Sequence, residues 1–323
     1  MGFMTKDVHK PVYFTLSDRG FLPRTLAMCK SLRVFDSVSP VYYFATEPLL
    51  QVEFDAFESV GVKVLPIEEL LGEELVVYLR DSRSLLEFMW TLPSQLLTRI
   101  WEIEESCTDF TYLDADIFFY ADPGQIWQEI PSNSISIVRH NFSQRLQSIF
   151  IESGEFNVSW VSVPNSSIGM AVASKWASDC LEMCPDKPVI HNGKLIYGDQ
   201  KYLDYWPELY GSSLHIIEHL GAGVAPWNYE EYEFSACTPL LVNHEPIIFF
   251  HFSSHQFGFF LARRMGSEYS RVKAIPNLVY EIYEQALLEN TKILQMRNWR
   301  SRYRPLRKRA TGYIRRRIDD FRG

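Results

Sequence analysis

Three short apolar runs, at residues 12–16 (VYFTL), 41–45 (VYYFA) and 62–65 (VKVL), alternate with two stretches of helical spacing. The first helix spans 22–35 and places Leu22, Leu26, Cys29, Leu32 and Phe35 along one face; the second, shorter one covers 48–58. Strand–helix–strand–helix–strand order predicts a parallel sheet with helices on both faces. Sheets of this kind bind ligands beyond the carboxyl ends of their strands. The turn Ser17-Asp18-Arg19-Gly20 lies at one of those ends.

Further along, a helical region at 84–105 is expected to break near Pro93. Strands are predicted at 110–113, 117–120, 135–139, 156–163 and 246–252, and helices at 168–184, 199–206 and 278–294. The last helix carries Leu278, Ile282, Ala286, Leu287 and Ile293 on one face. Between the strand FTYL and the strand IFFY stand Asp114-Ala115-Asp116. Burying two like charges side by side is costly. A divalent cation resolves that cost, and carboxylate oxygens suit Mg²⁺ or Mn²⁺. An ion held this way commonly grips a diphosphate. The alternative for the bare triplet is a solvated turn, where Asp is frequent.

Charge is unevenly distributed. The chain of 323 residues has 32 Lys and Arg against 40 Asp and Glu, a net −8. Residues 297–323 alone hold eleven basic residues and two acids, so the tail is +9 and the body −17. An acidic body argues against non-specific nucleic-acid binding. In the tail, Trp299, Tyr303, Leu306, Tyr313, Ile314 and Phe321 interleave with the cations, a pattern suited to an anionic membrane surface or to a solvated terminus. No apolar run approaches the length of a spanning helix, and the N-terminus lacks the apolar stretch of a signal peptide. Five scattered cysteines (Cys29, Cys107, Cys180, Cys184, Cys237) suggest reduced thiols and a cytoplasmic location. Cys180 and Cys184 could share a helix face, but no second pair with zinc spacing follows.

Five segments in order carry a resemblance. They are Tyr13-Phe14-Thr15-Leu16-Ser17-Asp18, the YLDADIFFY run around Asp114 and Asp116, Phe156-Asn157-Val158-Ser159, Gly198-Asp199-Gln200 with Leu203 and Trp206, and His251-Phe252. Together, over about residues 11–256, they resemble the GT-A nucleotide-sugar glycosyltransferases of the glycogenin and bacterial lipooligosaccharide galactosyltransferase group (glycosyltransferase family 8-like). The resemblance implies an α/β fold: a GT-A, Rossmann-like, mostly parallel central sheet with helices on both faces, plus a C-terminal helix and the basic tail. It implies a catalytic domain over 1–260, with a nucleotide-sugar half at about 11–120 and an acceptor half at about 121–260. A helical segment at 261–296 and the tail at 297–323 follow.

It further implies that Asp114, Asp116 and His251 hold Mn²⁺ or Mg²⁺ and, through it, the donor diphosphate. Taken alone, His251 in IIFFHF reads as a satisfied core histidine; His244 and His255 are its nearby substitutes. Thr15 and Asp18 would contact the nucleobase and ribose, and Phe21 could stack on the base; Asp18 also fits a helix cap. Asn157, Asp199 and Gln200 would face the donor sugar, and Asp199 too could be a cap. The implied activity is retaining transfer of a hexose from a nucleoside-diphosphate sugar, UDP-linked, to a lipid-linked, lipopolysaccharide or other glycan acceptor. The tail would place the enzyme on the inner face of a membrane.

The sequence departs from the family at several points. A lysine is expected after His-Phe, yet the run here is HFSSHQFGFF, so the cation facing the diphosphate must come from elsewhere: Arg83, Arg99, Arg139, Lys201 or the tail. Ser159 replaces a favoured glycine, and Trp227 could stack on a sugar or belong to the core. Two other functions stay in view. An aspartyl-phosphate phosphatase would use Asp114 as nucleophile but wants Thr or Val where Phe118 stands. A catalytically inactive, membrane-associated glycan-binding protein would need no metal.

Overall fold

The structure is a computed structural model that describes residues 9–235, 238–255 and 275–296. Its elements, in chain order, are β1 (Pro11–Ser17), α1 (Leu22–Phe35), β2 (Val41–Ala45), α2 (Gln51–Glu58), β3 (Val62–Pro66), α3 (Leu85–Leu97), β4 (Asp109–Leu113), β5 (Ile117–Phe119), β6 (Ile135–Arg139), β7 (Phe156–Pro164), α4 (Ser167–Glu182), β8 (Leu214–Ile216), β9 (Ala222–Val224), β10 (Phe249–His251) and α5 (Asn277–Ile293), with shorter pieces between.

Seven strands form the central sheet in the order β8-β6-β7-β4-β1-β2-β3. β1 lies parallel to both β2 and β4, β2 parallel to β3, and β8 parallel to β6. Every residue of β1, β2 and β4 is buried, as expected for strands covered on both faces. The layers are as expected: α3 and α4 cover one face, with Trp176 of α4 in one cluster with Phe14, Phe110 and Val161, while α1 covers the other over Tyr13, Tyr43 and Trp160. α5 packs on α1, and its Val279, Tyr283 and Leu287 join a third apolar cluster with Phe118, Phe250 and Phe252.

The strand that breaks the parallel pattern is β7, antiparallel to both β4 and β6. Residues 140–155 return from β6 to β7 at the same end of the sheet, and antiparallel neighbours need no crossover helix. Pro93 does not interrupt its helix. α3 runs through it, held at its start by a capping box between Ser84 and Glu87 and along its length by buried Phe88, Leu92, Leu96 and Leu97. Residues 199–206 form a 3₁₀ turn, Gln200–Tyr205, before a short α-helix rather than one continuous helix.

The segment expected as one strand at 246–252 divides into Glu245–Pro246 and β10. β10 joins a small second sheet in the order β9-β10-β5, antiparallel to β5 with His251 opposite Ile117. This second sheet makes the site. No helix among the described residues is long and apolar enough to cross a membrane. The basic tail at 297–323 lies outside the described residues.

Candidate metal and nucleotide-sugar site

β4 is buried throughout and ends at Leu113, so the chain delivers Asp114 at the carboxyl end of the sheet. Asp114 donates its backbone N–H to the Ser159 carbonyl at 3.3 Å, and a turn closes when Ile117 N–H reaches the Asp114 carbonyl at 3.4 Å. β5 then pairs with β10. That register, with Phe252 N–H donating to the Asp116 carbonyl at 2.9 Å, sets His251 beside the two aspartates. His251 Nε2 lies 3.1 Å from Asp116 Oδ1 and 3.7 Å from Asp114 Oδ2. One ligand atom from each of the three can be chosen so that all lie within 4.8 Å of one another.

Electrostatics at this cluster are strained. Burial pushes the Asp114 carboxyl up to about 6; the His251 charge and the Tyr112 hydroxyl, which donates to Oδ1 at 2.9 Å, oppose the rise, and Asp116 adds to it. Burial disfavours charge on His251, but Asp116 and then Asp114 outweigh it, so this histidine is held above its ordinary value. Two carboxylates around one imidazole favour positive charge at this point, and two carboxylate oxygens with one imidazole nitrogen form a donor set that fits a divalent cation.

The other residues singled out from the sequence occupy three positions. Asp199 is 3% exposed at the start of its 3₁₀ turn, with its backbone carbonyl held by Trp176 Nε1 at 3.0 Å. Its Oδ2 is buried without a hydrogen-bond partner, and burial, followed by the charge of Asp114, pushes its carboxyl well above the ordinary range. Gln200 is partly buried and donates from Nε2 to the Ser153 carbonyl at 3.1 Å. Asn157 is buried on β7. Its Oδ1 accepts from Ser159 N–H at 2.8 Å and its amide donates to His140 Nε2 at 3.0 Å.

In the interior of the sheet, β1 and β4 are parallel neighbours with Phe14 opposite Tyr112, so the turn that follows Ser17 and the aspartates leave the sheet at the same end. Thr15 is fully buried and its Oγ1 has no partner. Asp18 does cap the turn that follows, accepting from Phe21 N–H at 3.1 Å, and burial raises its carboxyl with help from Glu47. Of the substitutes for His251, His255 is paired with Glu284 at 3.2 Å, and His244 sits in a separate turn among Glu230, Glu231 and Glu233. The basic residues named from the sequence have partners elsewhere. Arg139 meets Glu155 at 2.8 Å, Lys201 meets Asp204 at 2.8 Å, Arg99 meets Glu102 at 2.8 Å, and Arg83 is bound to Thr91 and the Leu181 carbonyl.

Sequence reasoning passed over His140, Tyr112 and Arg24. His140 stacks on Phe142 at 4.5 Å and meets Trp227 edge-on, and Trp227 lies 5.1 Å from the His251 ring. Burial, then the charge of His251, lowers His140 to about 3, so it is a neutral acceptor for Asn157 while its Nδ1 donates to the Gly154 carbonyl. Trp227 is 4% exposed and donates to the His140 carbonyl at 2.8 Å, which makes it part of the wall behind His251. The only local hint of this group was an aromatic and histidine content higher than the loop at 140–142 needs.

No protein-family model matches the chain. Among relatives, it is 30% identical over 193 residues to the uncharacterized protein YfnD of Bacillus subtilis (strain 168), covering 59% of this chain and 61% of that protein. It is 27% identical over 283 residues to the uncharacterized YfnF of the same organism, covering 85% and 91%. Among solved structures, it is similar to galactosyltransferase LgtC in complex with donor and acceptor sugar analogs, with 13% identity, coverage of 84% and 95%, and a TM-score of 0.51. It is also similar to the glycosyltransferase GlyE of Streptococcus pneumoniae TIGR4, with 16% identity, coverage of 90% and 63%, and a TM-score of 0.50. The chain has the GT-A fold that these proteins share, an α/β architecture with the C-terminal helix added.

Proposed function

We propose that this chain is a metal-dependent, retaining glycosyltransferase that moves a hexose from a UDP-sugar to a glycan acceptor. The observation that carries this reading is the convergence of Asp114, Asp116 and His251 at the carboxyl end of a GT-A sheet. These three would hold Mn²⁺ or Mg²⁺, which supplies positive charge for the departing nucleoside diphosphate. Thr15 and Asp18 receive the nucleobase and ribose, and Phe21 stacks on the base. The bond from the anomeric carbon to the diphosphate breaks, a bond to the acceptor oxygen forms on the same face of the sugar, and the proton of that hydroxyl leaves with the departing diphosphate.

Asp199, Gln200 and Asn157 face that sugar in this reading. The buried, unpartnered Oδ2 of Asp199 supports it, because such an atom needs a polar ligand to satisfy it. His140 would hold the Asn157 amide in one orientation. A hydroxyl-rich donor sugar suits all three side chains. Neither the phosphatase nor the inactive glycan-binding reading has an observation of this kind behind it.

The test is thermal unfolding with Mn²⁺ and each of UDP, GDP, CDP, dTDP and ADP. A ligand at 100 times its dissociation constant stabilises by about 2.7 kcal/mol, a rise of several degrees. The reading predicts a manganese-dependent rise with UDP. No manganese-dependent rise with any of the five overturns it.

For the acceptor we propose a lipid-linked or lipopolysaccharide glycan, with the 297–323 tail, +9 in charge, seated on the anionic inner face of a membrane. Each basic residue near such a surface contributes about 1 kcal/mol. Deleting 297–323 should move the protein from the membrane to the soluble fraction of cells while leaving the metal- and nucleotide-dependent melting shift unchanged. A truncated protein that still pellets with membranes removes the tail from this role.

A further inference from the structure

A nucleoside diphosphate brings more negative charge to this site than one divalent ion offsets, because Asp114 and Asp116 already consume the charge of the ion. A protein cation must face the phosphates. Of the candidates from the sequence, Arg83, Arg99, Arg139 and Lys201 are tied to partners elsewhere, and the tail arginines lie outside the described residues.

Arg24 has a different setting. It lies on the first turn of α1, 5% exposed, just beyond the end of β1 where the nucleotide is to enter. Its guanidinium carbon stands 4.9 Å from the centre of the Phe21 ring. Nη2 donates to the carbonyl of His255 at 3.0 Å, on the segment that leaves His251 through Ser254, whose φ of 60° turns the chain back. Tyr283 of α5 feels the charges of both Arg24 and Asp116, and Asp18 feels the charge of Arg24. The guanidinium is thus placed between Phe21 of the proposed base-binding segment and the carbonyl of His255, four residues beyond His251.

We infer that Arg24 is the cation that receives the donor diphosphate, its guanidinium held in place by the His255 carbonyl and meeting the phosphate oxygens. An arginine suits the task because its planar fork can donate two parallel hydrogen bonds to a phosphate. α5 then serves the site as well as the core: its Glu284 pairs with His255, whose carbonyl holds Arg24. The inference rests on the glycosyltransferase reading and goes beyond it by giving the diphosphate a protein partner.

The experiment compares wild type, Arg24→Gln and Arg24→Lys in Mn²⁺, measuring dissociation constants for UDP and for uridine, with folding checked by circular dichroism. Losing one charge-assisted contact should weaken UDP binding about 10- to 100-fold in Arg24→Gln, with uridine binding unchanged. Arg24→Lys keeps the charge but not the fork and should lose less. UDP binding equal to wild type in Arg24→Gln overturns the inference, and so does an equal loss for UDP and uridine, which marks a purely structural role. If Arg24→Gln does not fold, Arg24→Lys decides by the same comparison: a loss confined to UDP supports the inference, and its absence overturns it. A wild type that binds none of the five nucleoside diphosphates fails the parent reading instead, and that is seen before any variant is made.

Discussion

Asp114→Asn should melt at a higher temperature than the wild type when both are free of metal, and should lose the response to Mn²⁺ and UDP altogether. The first half follows from the cost of the charge. With its folded value near 6 and an unfolded value near 3.8, Asp114 contributes stability that is fully present below about 3.8 and lost as pH rises through about 6. At neutral pH the ionised carboxylate therefore opposes folding by at most about 3 kcal/mol. Its side chain is 20% exposed, so we expect about 1–2 kcal/mol, or a few degrees. Asparagine keeps an oxygen to accept from the Tyr112 hydroxyl, and His251 keeps Asp116 at 3.1 Å, so the substitution removes the charge with little else. The second half follows from the metal: one ligand fewer leaves the ion without its grip on the diphosphate, and transfer should fall by at least about 10³-fold. Melting curves for both proteins at pH 5 and pH 7.5 check it. The wild type should gain more stability toward pH 5 than the variant, which keeps only what the raised Asp199, Asp18 and His251 contribute. A variant that keeps the wild-type response to manganese and UDP removes Asp114 from the metal site.

What could be read from the sequence follows the reach of each physical signal. Helical and strand periodicity is local, so α1 at 22–35 and β6 at 135–139 have the boundaries expected of them. The direction of β7 is not local. It depends on the return through 140–155, which carries no periodic signal, so which strand would depart from a mostly parallel sheet could not be read there. Asp114 and Asp116 were visible because two carboxylates between apolar strands are improbable without a reason. His251 was not visible on its own, since IIFFHF reads equally as core; the antiparallel register of β5 and β10 is what brings it to Asp116. Arg24 was hidden by its own helix, where a basic residue in a first turn says nothing about the distant His255 carbonyl that holds it. The His140–Asn157 bond was hidden by the irregularity between Ile137 and Val138, which no composition or spacing reveals. In each missed case the partner lies across the sheet or in another layer, and side-chain reach replaces sequence separation.

Gly221→Ala should cost more stability than removing most core methyl groups, and should damage the metal site although no atom of Gly221 belongs to it. A methyl added there would stand 1.8 Å from the Pro246 carbonyl oxygen and 3.0 Å from the Ile248 nitrogen, both backbone atoms that cannot swing aside. The Gly221 carbonyl also accepts from Ile248 N–H at 2.9 Å and Phe249 N–H at 3.2 Å, so the approach to β9 is what seats the start of β10. Making room for the methyl stretches both bonds and shifts β10 along β5, and His251 is the last residue of β10. We expect a loss of at least about 3 kcal/mol, the range of a backbone clash that side chains cannot relieve. Gly72→Ala provides the comparison. It too puts a methyl on a loop glycine, at φ 82° and ψ 146° with nothing within 4 Å, so it carries only the backbone strain, about 1–3 kcal/mol. Urea unfolding measures both costs, and a manganese titration measures the site. Gly72→Ala should bind manganese as the wild type does, whereas Gly221→Ala, where it still folds, should bind it at least about tenfold more weakly, because a ligand displaced by even a fraction of an ångström no longer completes the set. If Gly221→Ala stays within about 1 kcal/mol of wild type and binds manganese normally, β9 does not position His251, and the second sheet is a bystander to the site rather than its support.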